Sequence, residues 1–245
     1  MTAVFAAALI LKDNSVVDIA WGPGFILVGL VNLAWRPHFA PRQVLVLALI
    51  AIWGSRLAVY IFLRKKGRGE DYRYAGWRNS WGRWFVLRSY FQIFILQGFL
   101  MLLISIPVVL IGVAPGPALS RLDLAGAALW IIGFIFEAGG DGQLAKFKKN
   151  PENKGRIITS GLWKFTRHPN YFGEAAMWWG IYIMALSVPW GWAAAVSPLV
   201  ITFLLLRVSG IRLLEKKYAG NPEFQAYART TNAFFPWFPK KAKSD

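Results

Sequence analysis

The chain has 245 residues, of which 56% are hydrophobic, and it carries a formal net charge of +16. It contains no cysteine and two histidines, His38 and His168. This composition excludes disulfides, thiolate catalysis and cysteine-ligated metal clusters, and it is too poor in histidine for a multi-histidine metal centre. With a mean hydropathy of +0.41, the chain has too little polar surface for an ordinary soluble domain, and we expect neither a metal nor a nucleic-acid partner.

Seven apolar stretches separated by turn signals predict the helices of the chain. An α-helix needs about 20 residues to cross a hydrocarbon core of about 30 Å. The first stretch is too short for that and is expected to form a half-helix. The predicted helices cover residues 2–11, 16–35, 43–63, 84–113, 122–145, 171–188 and 192–214. The sequence therefore predicts an all-α polytopic membrane protein, a single domain over residues 1–245 with six to seven transmembrane helices.

The connections between these helices differ in character. Short connections near Pro37, Pro115 and Pro189 alternate with long basic ones. Most of the 28 Lys and Arg residues lie in the long connections, at residues 64–88, 146–167 and 207–243. If the helices alternate in direction, these segments share one side of the membrane, and the positive-inside rule makes that side cytoplasmic. We therefore expect a cytoplasmic carboxyl terminus and contact with anionic lipid head groups.

Five ionisable side chains interrupt the apolar stretches. Inside a bilayer such a group costs about 2.5–3.5 kcal/mol on insertion scales and usually faces a partner or a polar cavity. The set therefore predicts an internal polar chamber, and the alternative is buried ion pairs between helices, for example between Asp18 and Arg56. The five residues are Asp18, Arg56, Glu137, Asp141 and Arg207.

Helical spacing makes the chamber more specific in the carboxyl-terminal half. Glu137, Asp141 and Lys148 fall on one face of the fifth helix, and Gly133 and Gly140 allow a helix or a ligand to approach it closely. A second face is predicted on the last helix, where a cationic end favours an anionic ligand. It carries Arg207, Ile211, Glu215 and Tyr218.

The segment around residues 161–174 is unusually polar for a helix boundary. Pro169 biases His168 away from helical conformation, and Asn170 is expected to cap a helix that begins at Tyr171. The amino end of a helix stabilises phosphate, here with Lys164 and Arg167 beside it. Capping explains Asn170 alone, whereas the convergence of Arg167, His168 and Glu174 predicts a binding site.

Several of these residues form longer motifs. The amino-terminal half carries Asp-x-x-Trp-Gly at residues 18–22 and Gly-Glu-Asp-x-Arg-Tyr at residues 69–74. The carboxyl-terminal half carries Asp-x-Gln at residues 141–143, Arg-His-Pro-Asn-Tyr-Phe-Gly-Glu at residues 167–174 and Ser-Gly at residues 209–210. Over nearly the full length, these motifs resemble the steroid 5-alpha-reductase family, and most closely its bacterial branch. That resemblance implies an integral protein of the bacterial inner membrane.

The resemblance also implies NADPH as the cofactor, bound in a cytoplasm-facing cavity among the helices of about residues 121–245. No Gly-x-Gly-x-x-Gly turn is present for a Rossmann-type site. Matching the family's motifs position by position gives the expected cofactor-binding residues. These are Asp141, Lys148, Arg167, His168, Asn170, Tyr171, Glu174, Arg207, Arg212, Tyr218 and Tyr227.

The implied reaction reduces an activated carbon–carbon double bond, such as the enone of a 3-oxo-4-ene steroid or a similar lipid. It needs a hydride donor, a group that polarises the carbonyl and a proton source. An apolar site would keep the carboxyl of Asp18 protonated and able to donate to the carbonyl. In the steroid enzymes a glutamate and a tyrosine hold the ketone, and counting from Arg56 places the tyrosine at Trp53, which makes another substrate possible. We therefore expect Asp18, Arg56 and Tyr60 to be catalytic, and Trp21, Trp53 and Trp178 to contact the substrate.

Two other classes compete with a reductase. Membrane methyltransferases of the isoprenylcysteine and phospholipid types, which use S-adenosylmethionine, carry a similar Arg-His-Pro turn. The cations at residues 146–149, at Arg207 and Arg212 and in the loop of residues 69–73 favour a phosphate-bearing cofactor instead. A transporter or lipid-binding scaffold is the third class, and the absence of internal repeats argues against it.

Overall fold

A computed structural model describes residues 1–34, 40–114 and 118–240, and within those ranges the chain is helical with no strand. The prediction of an all-α protein is confirmed. The chain divides into two compact units. The first comprises Met1–Leu119 and Val188–Val196, and the second comprises Ser120–Ser187 and Ser197–Asp245.

The first unit contains seven α-helices in its described part. The predicted helix over residues 84–113 is not continuous, because Pro107 has no N–H to donate and Ser105 donates its hydroxyl to the carbonyl of Met101 at 2.8 Å. A helix that the sequence treated as a basic loop, α4, precedes it. The helices are α1 Thr2–Leu11, α2 Val16–Ala34, α3 Pro41–Lys65, α4 Tyr72–Trp81, α5 Phe85–Arg88, α6 Leu96–Ile104 and α7 Ile106–Val113, with a π-helical turn at Ser89–Ile95.

Helices α2 and α3 pack against each other where two glycines meet. A Cβ atom added at Gly22 or at Gly54 would lie closer than 3.0 Å to the carbonyl oxygen of the other residue. The space beside Gly22 is therefore occupied by the backbone of α3. Beside this contact, Phe25 lies between Trp21 and Trp53, with ring centroids 5.8 and 5.5 Å away.

The described part of the second unit contains five α-helices. Its last apolar segment was predicted as one helix over residues 192–214, but it passes through a π-helical turn at Leu204–Val208 and breaks at Ser209 and Gly210. The predicted single face from Arg207 to Tyr218 is therefore wrong. The helices are α8 Arg121–Lys149, α9 Pro169–Ala185, α10 Val196–Phe203, α11 Ile211–Tyr218 and α12 Pro222–Thr230, and α12 was not predicted.

Helices α8 and α9 form a close pair along most of their length. Glycines face each other across it, Gly126 against Gly180 and Gly133 against Gly173, and a Cβ atom at any of the four would lie closer than 3.0 Å to backbone of the opposite helix. Gly140 faces the ring of Pro169, whose Cγ would lie 2.9 Å from a Cβ atom added there. Small residues let helix backbones approach in a membrane, where packing and not hydrophobicity drives association. The pair fixes the start of α9 against the polar face of α8.

Within the described ranges, five helical stretches are long and apolar enough to cross a membrane, and the prediction of a polytopic membrane protein is confirmed. Two other predicted helices are shorter than the roughly 20 residues that span the hydrocarbon: α1 has 10 residues and α9 has 17. The connections at Pro37 and Pro115 lie outside the described residues. The five stretches are Val16–Ala34, Pro41–Lys65, Tyr72–Ile104, Arg121–Lys149 and Gly191–Tyr218.

Candidate functional site

The start of α9 is the centre of the polar site in the second unit. His168 is the last residue before the helix and makes no side-chain cap, and Pro169 is the first helical residue. Proline suits this position because its missing N–H would have no helical partner there. The prediction that Asn170 caps a helix starting at Tyr171 was therefore wrong: Asn170 is already inside the helix, and its side chain is directed to α8.

Arg167 ties this turn to the carboxyl-terminal elements. Its Nε and Nη2 atoms donate to Oε1 of Glu215 at 2.9 and 2.7 Å, and Nη1 donates to the carbonyls of Ala228, at 3.1 Å, and Thr231. A guanidinium has five N–H groups, so most of the donor capacity of Arg167 holds the protein together. Its predicted contact with a cofactor phosphate stays a prediction.

His168 is buried, with 5% of its surface exposed. Its Nε2 lies 3.2 Å from Oε1 of Glu215, and its ring stacks on Tyr171 at an interplanar angle of 8°. Burial lowers the pKa of His168 below its ordinary value, and the hydrogen bond to Glu215 offsets this only in part. The neutral imidazole is thus the form that the site stabilises, with Nε2–H donating to the carboxylate that also accepts from Arg167.

Asn170 and Asp141 form the contact between α9 and α8. Nδ2 of Asn170 donates to Oδ1 of Asp141 at 3.2 Å, which fixes the orientation of the amide. The other amide atom, Oδ1 of Asn170, is buried and accepts no hydrogen bond from the residues that the structure describes. A buried polar atom without a partner costs about 1–3 kcal/mol. The resemblance placed Asp141 and Asn170 in one cofactor-binding set, which stays a prediction. The structure adds their hydrogen bond and a buried acceptor that has no donor among the described residues.

Tyr227 supports the turn from behind. Its ring is 8% exposed, and its hydroxyl donates to the carbonyl of Trp163 and lies 3.4 Å from that of Thr166. Burial raises the pKa of this hydroxyl. Tyr227 therefore holds the turn that precedes α9, and its predicted contact with the cofactor is untested.

The other predicted cofactor residues differ in exposure. Lys148, Arg207 and Arg212 are exposed, and Tyr171, Glu174 and Tyr218 are half-buried. The ring of Tyr218 lies 5.8 Å from that of Phe224, while Trp178, predicted to contact the substrate, is 1% exposed inside the second unit. No group of three or more metal-ligating side chains occurs in the described part of the chain.

The first unit carries a separate polar site around Asp18. Tyr74 donates its hydroxyl to Oδ1 of Asp18 at 2.6 Å, and Nη2 of Arg73 donates to Oδ2 at 2.8 Å. Sequence reasoning missed both partners as site residues, although both belong to the Gly-Glu-Asp-x-Arg-Tyr motif. The motif was interpreted as a source of cations for phosphate, which is wrong for Arg73, because Asp18 and Asp71 both bind its guanidinium.

Glu70 and Asp71 of that motif also make structural hydrogen bonds, and Glu70 binds the turn between α1 and α2. Glu70 accepts from the backbone N–H of Asn14 at 2.8 Å and from Arg78 at 2.8 and 2.9 Å. Asp71 caps α4 by accepting from the backbone N–H of Arg73. Burial alone would raise the pKa of Asp71, but hydrogen bonds from Arg73 outweigh it, so the pKa lies below its ordinary value. The motif therefore positions Arg73 and Tyr74 against Asp18.

The remaining predicted residues of the first unit lie along α2 and α3. Nε1 of Trp21 donates to Oε1 of Gln97 at 2.6 Å, and Trp53 is 3% exposed. The guanidinium carbons of Arg56 and Arg64 lie 5.1 and 5.6 Å from the centre of the Tyr60 ring. The structure gives Asp18 a tyrosine partner in Tyr74, a residue that the sequence did not propose as a donor.

Comparison with known proteins gives matches to named reductases. The chain is 35% identical over 80 residues to 3-oxo-5-alpha-steroid 4-dehydrogenase 1 of Bos taurus, which covers 33% of this chain and 31% of that protein. It is 29% identical over 114 residues to the protein of the same name from Mus musculus, covering 46% and 42%. The chain therefore matches less than half the length of either enzyme.

Two wider matches cover most of the chain. An uncharacterized protein of Schizosaccharomyces pombe is 28% identical over 261 residues, which covers 92% of this chain and 73% of that protein. A family model described as protein of unknown function (DUF1295) matches residues 4–231. No solved structure matches the chain significantly. The chain therefore belongs to the DUF1295 family, and this family is related to the steroid 5-alpha-reductases.

Proposed function

We propose that this protein is a membrane-embedded reductase that uses NADPH to reduce the activated carbon–carbon double bond of a hydrophobic enone. The observation that carries the proposal is the buried acceptor of Asn170, held in a fixed orientation by Asp141 within the family's Arg-His-Pro-Asn-Tyr motif. A binding site explains why a native protein keeps a costly unpaired atom at this position.

The residues of the second unit fit NADPH in their chemistry. Oδ1 of Asn170 needs an N–H or O–H donor, and the carboxamide and ribose groups of NADPH supply both. Its phosphates require cations, and Lys148, Arg207 and Arg212 are exposed for that role. The bound cofactor would supply the hydride. The neutral, stacked ring of His168 and the anchored guanidinium of Arg167 would keep the turn in shape around it.

Asp18, Arg73 and Tyr74 supply the polar chemistry of the first unit. The hydroxyl of Tyr74 donates its one proton to Oδ1 of Asp18. A substrate carbonyl that reaches this pair would accept that hydrogen bond in place of Oδ1, while Oδ2 of Asp18 keeps its bond from Arg73. Such a donor stabilises negative charge that develops on the carbonyl oxygen when hydride adds to the double bond. We therefore assign the donor role to Tyr74 in place of Tyr60, and Asp18 holds the hydroxyl in position until the substrate carbonyl takes over its hydrogen bond.

The substrate class follows from the setting. A protein with five candidate spans takes a hydrophobic substrate from the membrane more readily than a polar one from water. Two relatives bear the name 3-oxo-5-alpha-steroid 4-dehydrogenase 1, so 3-oxo steroids are one such class. Other lipid enones have the same reacting group as a 3-oxo-4-ene steroid. A methyltransferase is the alternative, and the similarity to named steroid dehydrogenases favours reduction.

A titration separates these functions. We would measure the unfolding temperature of the purified protein with NADPH, NADH and S-adenosylmethionine, since a ligand at 100 times its Kd adds about 2.7 kcal/mol of stability. NADPH should stabilise most, and a product two hydrogens heavier should form from NADPH and a 3-oxo-4-ene steroid or another lipid enone. Stabilisation by S-adenosylmethionine alone would contradict the proposal.

A further inference from the structure

We propose that residues 231–240, here called the carboxyl-terminal strap, dock on the head-group layer of an anionic phospholipid membrane and hold the turn before α9 at that depth. This inference concerns a lipid-binding surface and does not depend on the proposed reductase activity. The strap is not helical, so its shape is set by what it contacts.

The strap is fastened to the turn by backbone and hydroxyl hydrogen bonds. The backbone N–H of Arg167 donates to the carbonyl of Asn232 at 2.9 Å, and that of Trp237 donates to Phe165 at 2.9 Å. Oγ1 of Thr166, which is fully buried, lies 2.9 Å from the carbonyl of Phe234. The strap therefore follows the chain just before α9 as a second layer.

Three aromatic side chains of the strap are exposed. Phe235 and Trp237 are each 69% exposed, and Phe238 is 74% exposed. Three large aromatic rings within four positions form an apolar patch that a protein surface in water does not normally present. Phe and Trp side chains next to basic residues instead suit the boundary between hydrocarbon and head groups.

The depth of the strap agrees with such a boundary. Nε1 of Trp163 donates to the carbonyl of Gly140 in α8 at 3.1 Å, which places the turn at that level of the helix. Gly140 lies about 19 residues beyond Arg121, where α8 begins, or roughly 28 Å at 1.5 Å per residue. A hydrocarbon core is about 30 Å thick, so the turn and its strap come where the core ends.

Charge selects the kind of lipid. Lys240 is exposed at the end of the strap, and the sequence continues with Lys241 and Lys243, which lie outside the described residues. Lysines beside an anionic leaflet are attracted to its head groups. The strap thus combines rings that enter the boundary layer with ammonium groups that contact lipid phosphates, and phosphatidylglycerol is a suitable anionic probe.

The test uses the absence of cysteine from the chain. A single cysteine at Phe238→Cys, or at Phe235→Cys as a second position, would carry an environment-sensitive dye in nanodiscs that hold one copy of the protein. Gln225→Cys, on the exposed face of α12, is the matched control. In discs of equal phosphatidylcholine and phosphatidylglycerol, nitroxide-labelled lipid should quench the strap label several-fold more than the control.

Two further arms test the charge and the occupant. Quenching should fall in discs of phosphatidylcholine alone, and also when Lys240→Gln, Lys241→Gln and Lys243→Gln are combined. Equal quenching at both positions, or no response to phosphatidylglycerol, would overturn the proposal. Dye protection that appears only in discs with two copies would assign the patch to a second copy of the chain and overturn it as well.

Discussion

At the level of single residues, the pair formed by Asp18 and Tyr74 is the group on which the proposed chemistry depends. We expect Tyr74→Phe to lower turnover by about 100-fold or more, because the ring remains and the donated proton is lost. Asp18→Asn should also lower turnover, and both variants should keep their NADPH affinity. Steady-state kinetics beside a binding titration would measure this.

Tyr60→Phe is the matched control for Tyr74→Phe, because it removes a hydroxyl from the tyrosine that the sequence first indicated. Its turnover should stay near that of the unaltered protein. A fully active Tyr74→Phe variant with an inactive Tyr60→Phe variant would return the donor role to Tyr60.

Asn170 is the residue most directly linked to cofactor binding. Asn170→Ala removes the unpaired buried acceptor and the bond to Asp141, so NADPH affinity should weaken by about 0.5–1.5 kcal/mol, the range for a hydrogen bond between neutral groups. Arg207→Ala should weaken it by about 1.5–3 kcal/mol, the range for hydrogen bonds that involve charged groups. Asn153→Ala is the control, because it also removes an asparagine side chain and its hydrogen bond, here to the carbonyl of Phe147. Unchanged affinity in both test variants would show that the site lies elsewhere.

His168 gives a prediction for pH. Its pKa is lowered in the folded protein, so the unfolded chain takes up a proton first as the pH falls through about 6.5. The contribution of His168 to the free energy of unfolding should therefore be fully present above that pH. It should decline as the pH falls below that value, until the pH passes the lower pKa of the folded state. Thermal unfolding across this range should show a smaller decline in His168→Gln, which keeps a donor for Glu215. An identical decline in both proteins would exclude His168 as the cause.

At the level of elements, the glycine contacts between α8 and α9 set the position of the site. Gly173→Ala would place a Cβ atom closer than 3.0 Å to the carbonyl of Gly133 and the N–H of Glu137. Overpacking of this kind typically costs 1–3 kcal/mol, so the unfolding temperature in detergent should fall. NADPH affinity should fall too, because α9 carries Asn170.

Gly142→Ala is the matched control for this change, since it lies in α8 and an added Cβ atom meets no other atom within 4 Å. It should leave stability unchanged or raise it, because alanine favours a helix by about 1 kcal/mol over glycine. Equal changes in unfolding temperature for Gly173→Ala and Gly142→Ala would contradict the prediction, because they would show that α8 and α9 accommodate the added Cβ atom.

At the level of the whole molecule, the distribution of charge predicts the orientation in the membrane. Most Lys and Arg residues lie in segments expected on one side. A single cysteine at Lys154→Cys, in an exposed position between α8 and α9, should react with an impermeant reagent only from the cytoplasmic side of inverted vesicles. Reaction from the side opposite the cytoplasm would contradict the predicted orientation.

The hydropathy of the sequence was enough to predict helices and membrane spans, because both depend on the local run of apolar residues. It failed at two local breaks inside apolar runs, at Ser105, where Pro107 and the Ser105 hydroxyl interrupt the helix, and at Gly210. It also failed at the polar helix α4, whose Arg73 and Tyr74 bind Asp18, a residue distant in sequence. Hydrophobic periodicity does not reveal α4, because polar side chains of this helix, such as Tyr74, bind another helix through hydrogen bonds.

The sequence by itself determined the class of molecule, and its Arg-His-Pro-Asn-Tyr motif indicated the turn at residues 167–170 as a candidate site. Only the tertiary structure decided that Asn170 lies inside α9, that Arg167 and Tyr227 hold the turn, and that Asp18 is bound by Arg73 and Tyr74. The physical reason is distance along the chain. Asp18 and Tyr74 are separated by 56 positions, and only packing can show which of several polar side chains meets another.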